Sequence, residues 1–275
     1  MSGDAGSGDL ATLVAPPTPV RAMGHEPSLA RYAWLLLGCA GLTTMLVWLD
    51  PRTLEGVPVW IKPTKFFVSI GVYAATLSWF FGLVRSERRR SWPMRFVVGA
   101  VLGAGSFELA YITIQAARGE ASHYNVATPF HALMYQAMGV GAVLLVCAMP
   151  PLAWEIARRP APGTRPDLRS AVVTGLLLSF VLGGGLAGYL SAQPGHAVGE
   201  VGGALPLLGW NRAGGDLRVA HFVGLHLLQA LPLLVLLAAP LPLRGRFALL
   251  ALGTVTGIAV TLAVFVQALR GQPFL

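Results

Sequence analysis

Apolar residues run along this chain in blocks of about twenty, separated by short polar links. The blocks fall at about 31–49, 60–84, 95–117, 128–150, 170–192, 217–239 and 247–269. Each is long enough to cross a hydrocarbon core of roughly 30 Å as an α-helix. Strand alternation of the kind that marks a membrane β-barrel is absent. The pattern predicts an all-α fold, a polytopic membrane helix bundle with seven transmembrane helices spread over residues 27–275. Residues 1–26 are rich in Gly, Ala, Pro and Ser without periodicity and are expected to form a disordered tail. They also lack the basic start and apolar core of a secretory signal.

Charge refines this picture. Only 12% of the 275 residues are charged and 55% are hydrophobic, against about 25% charged in soluble domains. The net charge of +8 does not mark a nucleic-acid binder, because the basic residues sit in links between spans. Arginines concentrate in the links 85–95, 155–169 and 240–246, which alternate along the chain with less basic links. The positive-inside bias then places the amino terminus inside, the carboxyl terminus outside and the protein in a bacterial inner membrane. Cys39 and Cys147 form neither a CxxC element nor a disulfide framework. Gly99 with Gly103, Gly184 with Gly188, and Gly253 with Gly257 have the GxxxG spacing of close helix packing. No internal repeat stands out, which counts against an inverted-repeat transporter plan.

The polar residues inside the spans carry the candidate chemistry. The second span puts Lys62, Lys65, Ser69, Tyr73 and Thr76 on one face, and the third puts Glu108, Tyr111, Gln115 and Arg118 within about 80° of one another. His131 opens the fourth span after a link containing His123 and Asn125. The sixth span aligns Arg218, His226 and Gln229, with His221 at the edge of that face and Asp216 placed to cap the helix. Most of these positions fall in the outer part of their spans. Glu108, Tyr73, His226 and Gln229 fall near mid-depth, and the inner halves of the predicted spans hold no His, Lys, Asp or Glu. The expectation is a cavity open to the outside, with the Gly/Pro-rich link 193–216 and its Trp210 as a lid.

Two chemistries fit. In the first, His123, His131, His221 and His226 hold a transition metal ion, or His131 and His226 clamp haem b. Glu108 and His226 then do acid–base work in a membrane-embedded redox enzyme. In the second, Lys62, Lys65, Arg118 and Arg218 hold an anionic small molecule or a lipid headgroup, with Tyr73, Tyr111, Gln115 and Gln229 completing the pocket of a transporter or binding protein. A third reading makes the polar stripes contacts within a membrane complex, the chain being a structural or assembly subunit. Spacing does not choose: His221 and His226 are five apart, about 140° around a helix, and not on one face. No hydrolase elbow, Walker loop, dinucleotide fingerprint or HExxH is present.

The order of KPTKF, QAARGEASHYN with TPFHA, and GWNRAGGDLRVAHFVGLHLLQ resembles a family of uncharacterised bacterial multi-pass membrane proteins. The likeness spans most of the second to sixth helices. It implies a seven-span membrane fold and no activity.

Overall fold

A computed structural model describes residues 25–54, 56–205 and 208–275. The expected tail therefore lies almost wholly outside the described residues. Seven helical spans are long and apolar enough to cross a membrane: Pro27–Leu49, Ile61–Phe81, Trp92–Arg118, Pro129–Arg158, Pro166–Ser191, Leu217–Leu237 and Leu243–Leu269. The all-α multi-pass bundle read from the apolar blocks is the fold observed. Five of the spans are single helices: α1 (Pro27–Leu49), α2 (Ile61–Phe81), α3 (Trp92–Arg118), α8 (Leu217–Leu237) and α9 (Leu243–Leu269). The fourth divides into α4 (Pro129–Cys147) and α5 (Met149–Arg158). The fifth divides into α6 (Pro166–Leu178), a π-helical stretch over Ser179–Gly184, and α7 (Gly185–Ser191).

Local chemistry sets the boundaries. Proline occupies the first turn of α1, α3, α4, α5 and α6, where its missing N–H leaves nothing unpaired. Thr128 caps α4 by accepting from His131 N, and Asp216 caps α8 by accepting from Arg218 N. Gly119 ends α3 in the left-handed conformation at φ 72°. The fourth span runs eight residues past its expected end at 150, because Pro150 and Pro151 sit in the first turn of α5 and start a new helix.

Neighbours pack in the order α1–α2–α3, then α3 on α4 and α5, α5 on α6, and α6 on α8, with α9 outside α8. The main core lies between α1, α2, α3, α5 and α6 and contains Leu77, Phe80, Phe81, Met94, Leu152, Ile156 and Leu176. Next to it the chain builds buried ion pairs. Glu155 accepts from Arg88 at 2.6 Å, and fully buried Asp167 is held by Arg165 and by Arg246 at 3.0 Å. Both acids lie in the link 155–169 of the sequence pattern, outside the predicted spans. The link between the fourth and fifth spans is shorter than the sequence pattern suggested, and both acids fall inside helices.

The closest helix approach is also not where the GxxxG spacing put all of it. A Cβ added at Gly99, Gly103 or Gly188 would meet nothing within 4 Å. At Gly175 it would lie 2.9 Å from Leu227 O and from Leu228 Cα, and at Gly183 2.6 Å from the Leu225 side chain. Gly253 and Gly257 do receive leucines of α8. Ser179, at the start of the π stretch, donates to Leu225 O and accepts from Leu228 N, both at 2.9 Å, so a polar clip joins the α6–α8 crossing. Gly175→Ala is expected to destabilise the protein by about 1–3 kcal/mol, because backbone lies opposite the new methyl. Gly99→Ala should leave the thermal midpoint in detergent unchanged, and equal midpoints for the two variants would contradict this packing.

Candidate functional site

The predicted polar residues gather at the end of the bundle away from the Glu155 and Asp167 pairs, in two adjoining groups. The first joins the start of α2, the end of α3, the link 119–128 and the start of α4. Lys62 Nζ lies 3.0 Å from His123 Nδ1. An ammonium only donates, so His123 Nδ1 accepts and its ring is neutral. Ser122 Oγ lies 3.2 Å from the same nitrogen, and the rings of Phe66 and Tyr135 close over the imidazole. Burial, with Lys62 beside it, pushes the His123 pKa down to about 3.

Glu120 is the hub of the outer rim. It accepts from Arg118 at 3.0 Å, from His131 Nε2 at 3.1 Å and from Gln115 Nε2 at 3.3 Å. Arg118 foremost holds its carboxyl below the usual carboxylate range. His131 Nδ1 lies 2.9 Å from Thr128 Oγ1, so both of its ring nitrogens are engaged.

Between these residues Tyr124 holds a left-handed backbone at φ 55°, the one non-glycine residue with positive φ among the described residues. Such a conformation costs about 1–3 kcal/mol and persists only where the surroundings enforce it. Here the hydroxyl donates to Leu190 O at 3.2 Å, the ring meets Tyr135 at 5.3 Å, and Asn125 closes the turn onto Ala121 O and Ala127 N. Burial first, and then Tyr135, raise its pKa to about 12, so the hydroxyl stays protonated.

The second group is built by the link 193–216, which folds back on the bundle. The short strands β1 (Thr53–Leu54) and β2 (Val57–Pro58) pair with each other before α2, whereas in this link β3 (Ala197–Val198) pairs antiparallel with β4 (Gly215–Asp216), and Ala204 bridges Asn211. Asn211 accepts from Gly202 N and donates to Glu200 O. Gly215 lies so close to Ala268 at the end of α9 that a side chain there would overlap backbone. Asp216, fully buried in its side chain, caps α8, accepts Asn211 N at 2.8 Å and takes a two-pronged ion pair from Arg218. Burial alone would raise its carboxyl pKa; the hydrogen bonds and charge of Arg218 outweigh it and leave the pKa below the ordinary value. Arg218 also donates to Gly209 O, and Lys65 of α2 donates to the adjacent Leu208 O at 3.1 Å. Trp210 packs edge-on against Phe222 and Phe274. The link thus lies over Lys65 and Arg218 and is held by both.

The deeper residues stand apart. Tyr73 donates to Leu145 O at 2.8 Å, and Gln229 reaches Thr76 Oγ1 over a long 3.4 Å. Glu108 is 3% exposed, and its Oε1 has no hydrogen-bond partner, nor does the Tyr111 hydroxyl one turn away. Gly141 of α4 makes the room: a Cβ there would lie 3.0 Å from Glu108 Oε1. Two surface grooves, of about 520 and 370 Å³, lie elsewhere, one along the end of α9 and one between α1 and α3.

The expected metal set does not assemble. Among the described residues no three His, Cys, Asp or Glu side chains are grouped to hold a metal ion. His221 Nδ1 donates to Gly183 O at 2.9 Å, and His226 Nδ1 donates to Phe222 O at 2.7 Å beneath the Phe222 ring. The four imidazoles lie in separate settings: His123 faces Lys62, His131 faces Glu120, and His221 and His226 each donate through Nδ1 to a backbone carbonyl, which leaves Nε2 as an acceptor. Of the expected haem pair, His131 has both ring nitrogens in hydrogen bonds, to Glu120 and Thr128, whereas His226 uses Nδ1. Glu120, Ser122, Tyr124 and Asn211 were missed as site residues. Their only sequence signal is the density of polar residues in RGEASHYN and GWNRAGGD.

No family model, curated protein or solved structure matches the chain. The seven apolar helices are compatible with a multi-pass membrane protein.

The neutral, buried His123 makes a pH prediction. Its folded pKa lies below the unfolded value of about 6.5, so its contribution to stability is present above that value and is lost as pH falls toward 3. Glu120, with a depressed carboxyl pKa, acts in the same direction at lower pH. The thermal midpoint should fall steadily from pH 7 to pH 4, and more shallowly in His123→Gln. Equal slopes in the two proteins would show that His123 is not the titrating group.

Proposed function

We propose that this chain binds an anionic group, a carboxylate or phosphate, at the end of the bundle beneath the 197–216 link, and that it serves as a transporter or binding protein for the molecule carrying that group. The observation that carries this reading is the position of Lys65. It stands beside a buried ion pair in which Asp216 is already fully engaged by Arg218, and its acceptor among the described residues is the neutral carbonyl of Leu208. One positive charge in a half-buried setting is left with no carboxylate, and an incoming anion satisfies it better than a peptide oxygen does. Lys62, one turn earlier on α2, adds to the same field.

The histidine-based redox reading has less support, since among the described residues no three His, Cys, Asp or Glu side chains are grouped to hold a metal ion. The arginine-rich links 85–91 and 159–165, and the first turn of α9 with Arg244 and Arg246, lie at the opposite end of the helices. That favours an orientation in a bacterial cytoplasmic membrane with the Lys65 end facing outward.

The test uses the full chain in phosphatidylcholine nanodiscs. Calorimetric titration with sulfate and with acetate probes soluble anions. Nanodiscs doped with phosphatidylglycerol, read by native mass spectrometry, probe retention of a lipid headgroup. Binding is expected in one arm, and Lys65→Met should weaken it by about tenfold or more, the loss of one charge-assisted hydrogen bond. A wild type that binds in neither arm, or a Lys65→Met chain that binds as tightly as wild type, contradicts the proposal.

A further inference from the structure

Glu108 is a carboxyl group in the middle of a membrane-spanning helix, 3% exposed, with one oxygen lacking any hydrogen-bond partner. It lies ten residues from the end of α3, about 15 Å along the axis. An ionised carboxylate with an unsatisfied oxygen in such a place is costly, and either a proton or a cation removes the cost. Its surroundings are specific. α4 presents Gly141, whose missing side chain leaves the space that Oε1 occupies. On α3 the next turn carries Tyr111, buried and also without a partner. From α2 the charge acting on Glu108 is Lys62, one turn from Lys65, and Lys62 in turn contacts His123. Glu108, Tyr111 and Gln115 form a buried stripe along α3 that ends where Gln115 donates to Glu120, itself bonded to His131. A buried carboxyl thus shares one face of α3 with Tyr111 and with Gln115, which is bonded to the rim at the end of the bundle where the anion is proposed to bind.

We infer that Glu108 is a proton-binding site coupled to the anion site, taking up one proton from water when an anion settles at Lys65. This rests on the anion reading of the preceding section. The physical link is electrostatic. A negative charge brought to the lysine face of α2 opposes a second negative charge on Glu108, so it favours formation of an O–H bond at Oε1 by a solvent proton. The anion and the proton then enter together with no net charge, which lowers the cost of holding the anion inside an apolar bundle. Reciprocity requires that protons strengthen anion binding to the same degree.

The experiment follows proton uptake with a pH indicator in weakly buffered solution while the chain in nanodiscs is titrated with sulfate or acetate, neither of which titrates near pH 7. The wild type is expected to take up a fraction of a proton per bound anion that rises toward one as the starting pH is raised and more Glu108 begins ionised, and its affinity should rise by up to about tenfold per pH unit of acidification in that range. Glu108→Gln, which keeps the shape and fixes the neutral state, should bind the same probe with no proton uptake and little pH dependence. A wild type that binds sulfate or acetate without taking up a proton overturns the inference and leaves the anion site standing. So does a Glu108→Gln chain that still takes one up. A wild type that binds neither probe overturns the anion site for soluble anions, and the coupling with it.

Discussion

Charge buried in an apolar bundle must be answered by charge or by hydrogen bonds, and Asp216 is where this chain meets that requirement most completely. Its carboxylate closes the first turn of α8, accepts the amide of Asn211 from within the link and receives the guanidinium of Arg218. Removing one partner from such a pair costs about 3–5 kcal/mol, because the other charge is left buried. Fixing Asp216 fixes the register of β4 on β3, and with it the position of the Leu208 and Gly209 carbonyls above the cations. The lysine face of α2 is thereby given a roof.

The two ends of the bundle solve the same problem differently. At the arginine-rich end, Glu155 and Asp167 are each met by more than one arginine, and the surrounding core is filled by large apolar side chains. That end is a closed structural arrangement. At the other end, Glu120 and Asp216 are each paired with an arginine, yet Lys65 rests on a peptide oxygen and Tyr124 keeps a strained backbone. Strain and incompletely answered charge are features that stability alone does not favour, and they fall together at the proposed binding end.

Much of this was legible in the sequence. The apolar blocks located the seven spans, and Glu108, Tyr111 and Gln115, one face of α3 by helix arithmetic, are all buried. The boundaries failed where proline has two meanings: Pro150 and Pro151 suggest the end of a helix but begin α5. Glycine spacing found Gly253 and Gly257 but not Gly175, whose importance depends on which backbone crosses it. The four histidines do not form one cluster, because a one-dimensional count gathers residues that the fold engages separately. His221 points to the π stretch and His226 folds back on its own helix. The link 193–216 was least legible, since its order comes from Asn211, Asp216 and contacts with α9 that no local pattern encodes.

Amide hydrogen exchange across residues 197–216, measured on the full chain in nanodiscs, tests the account most directly. The folded link predicts slow exchange at Leu205, Asn211 and Leu217, whose amides are bonded within the link or to it, and loss of that protection in Asp216→Ala. Fast exchange throughout the stretch in the wild type, at the rate of a free loop, would contradict it.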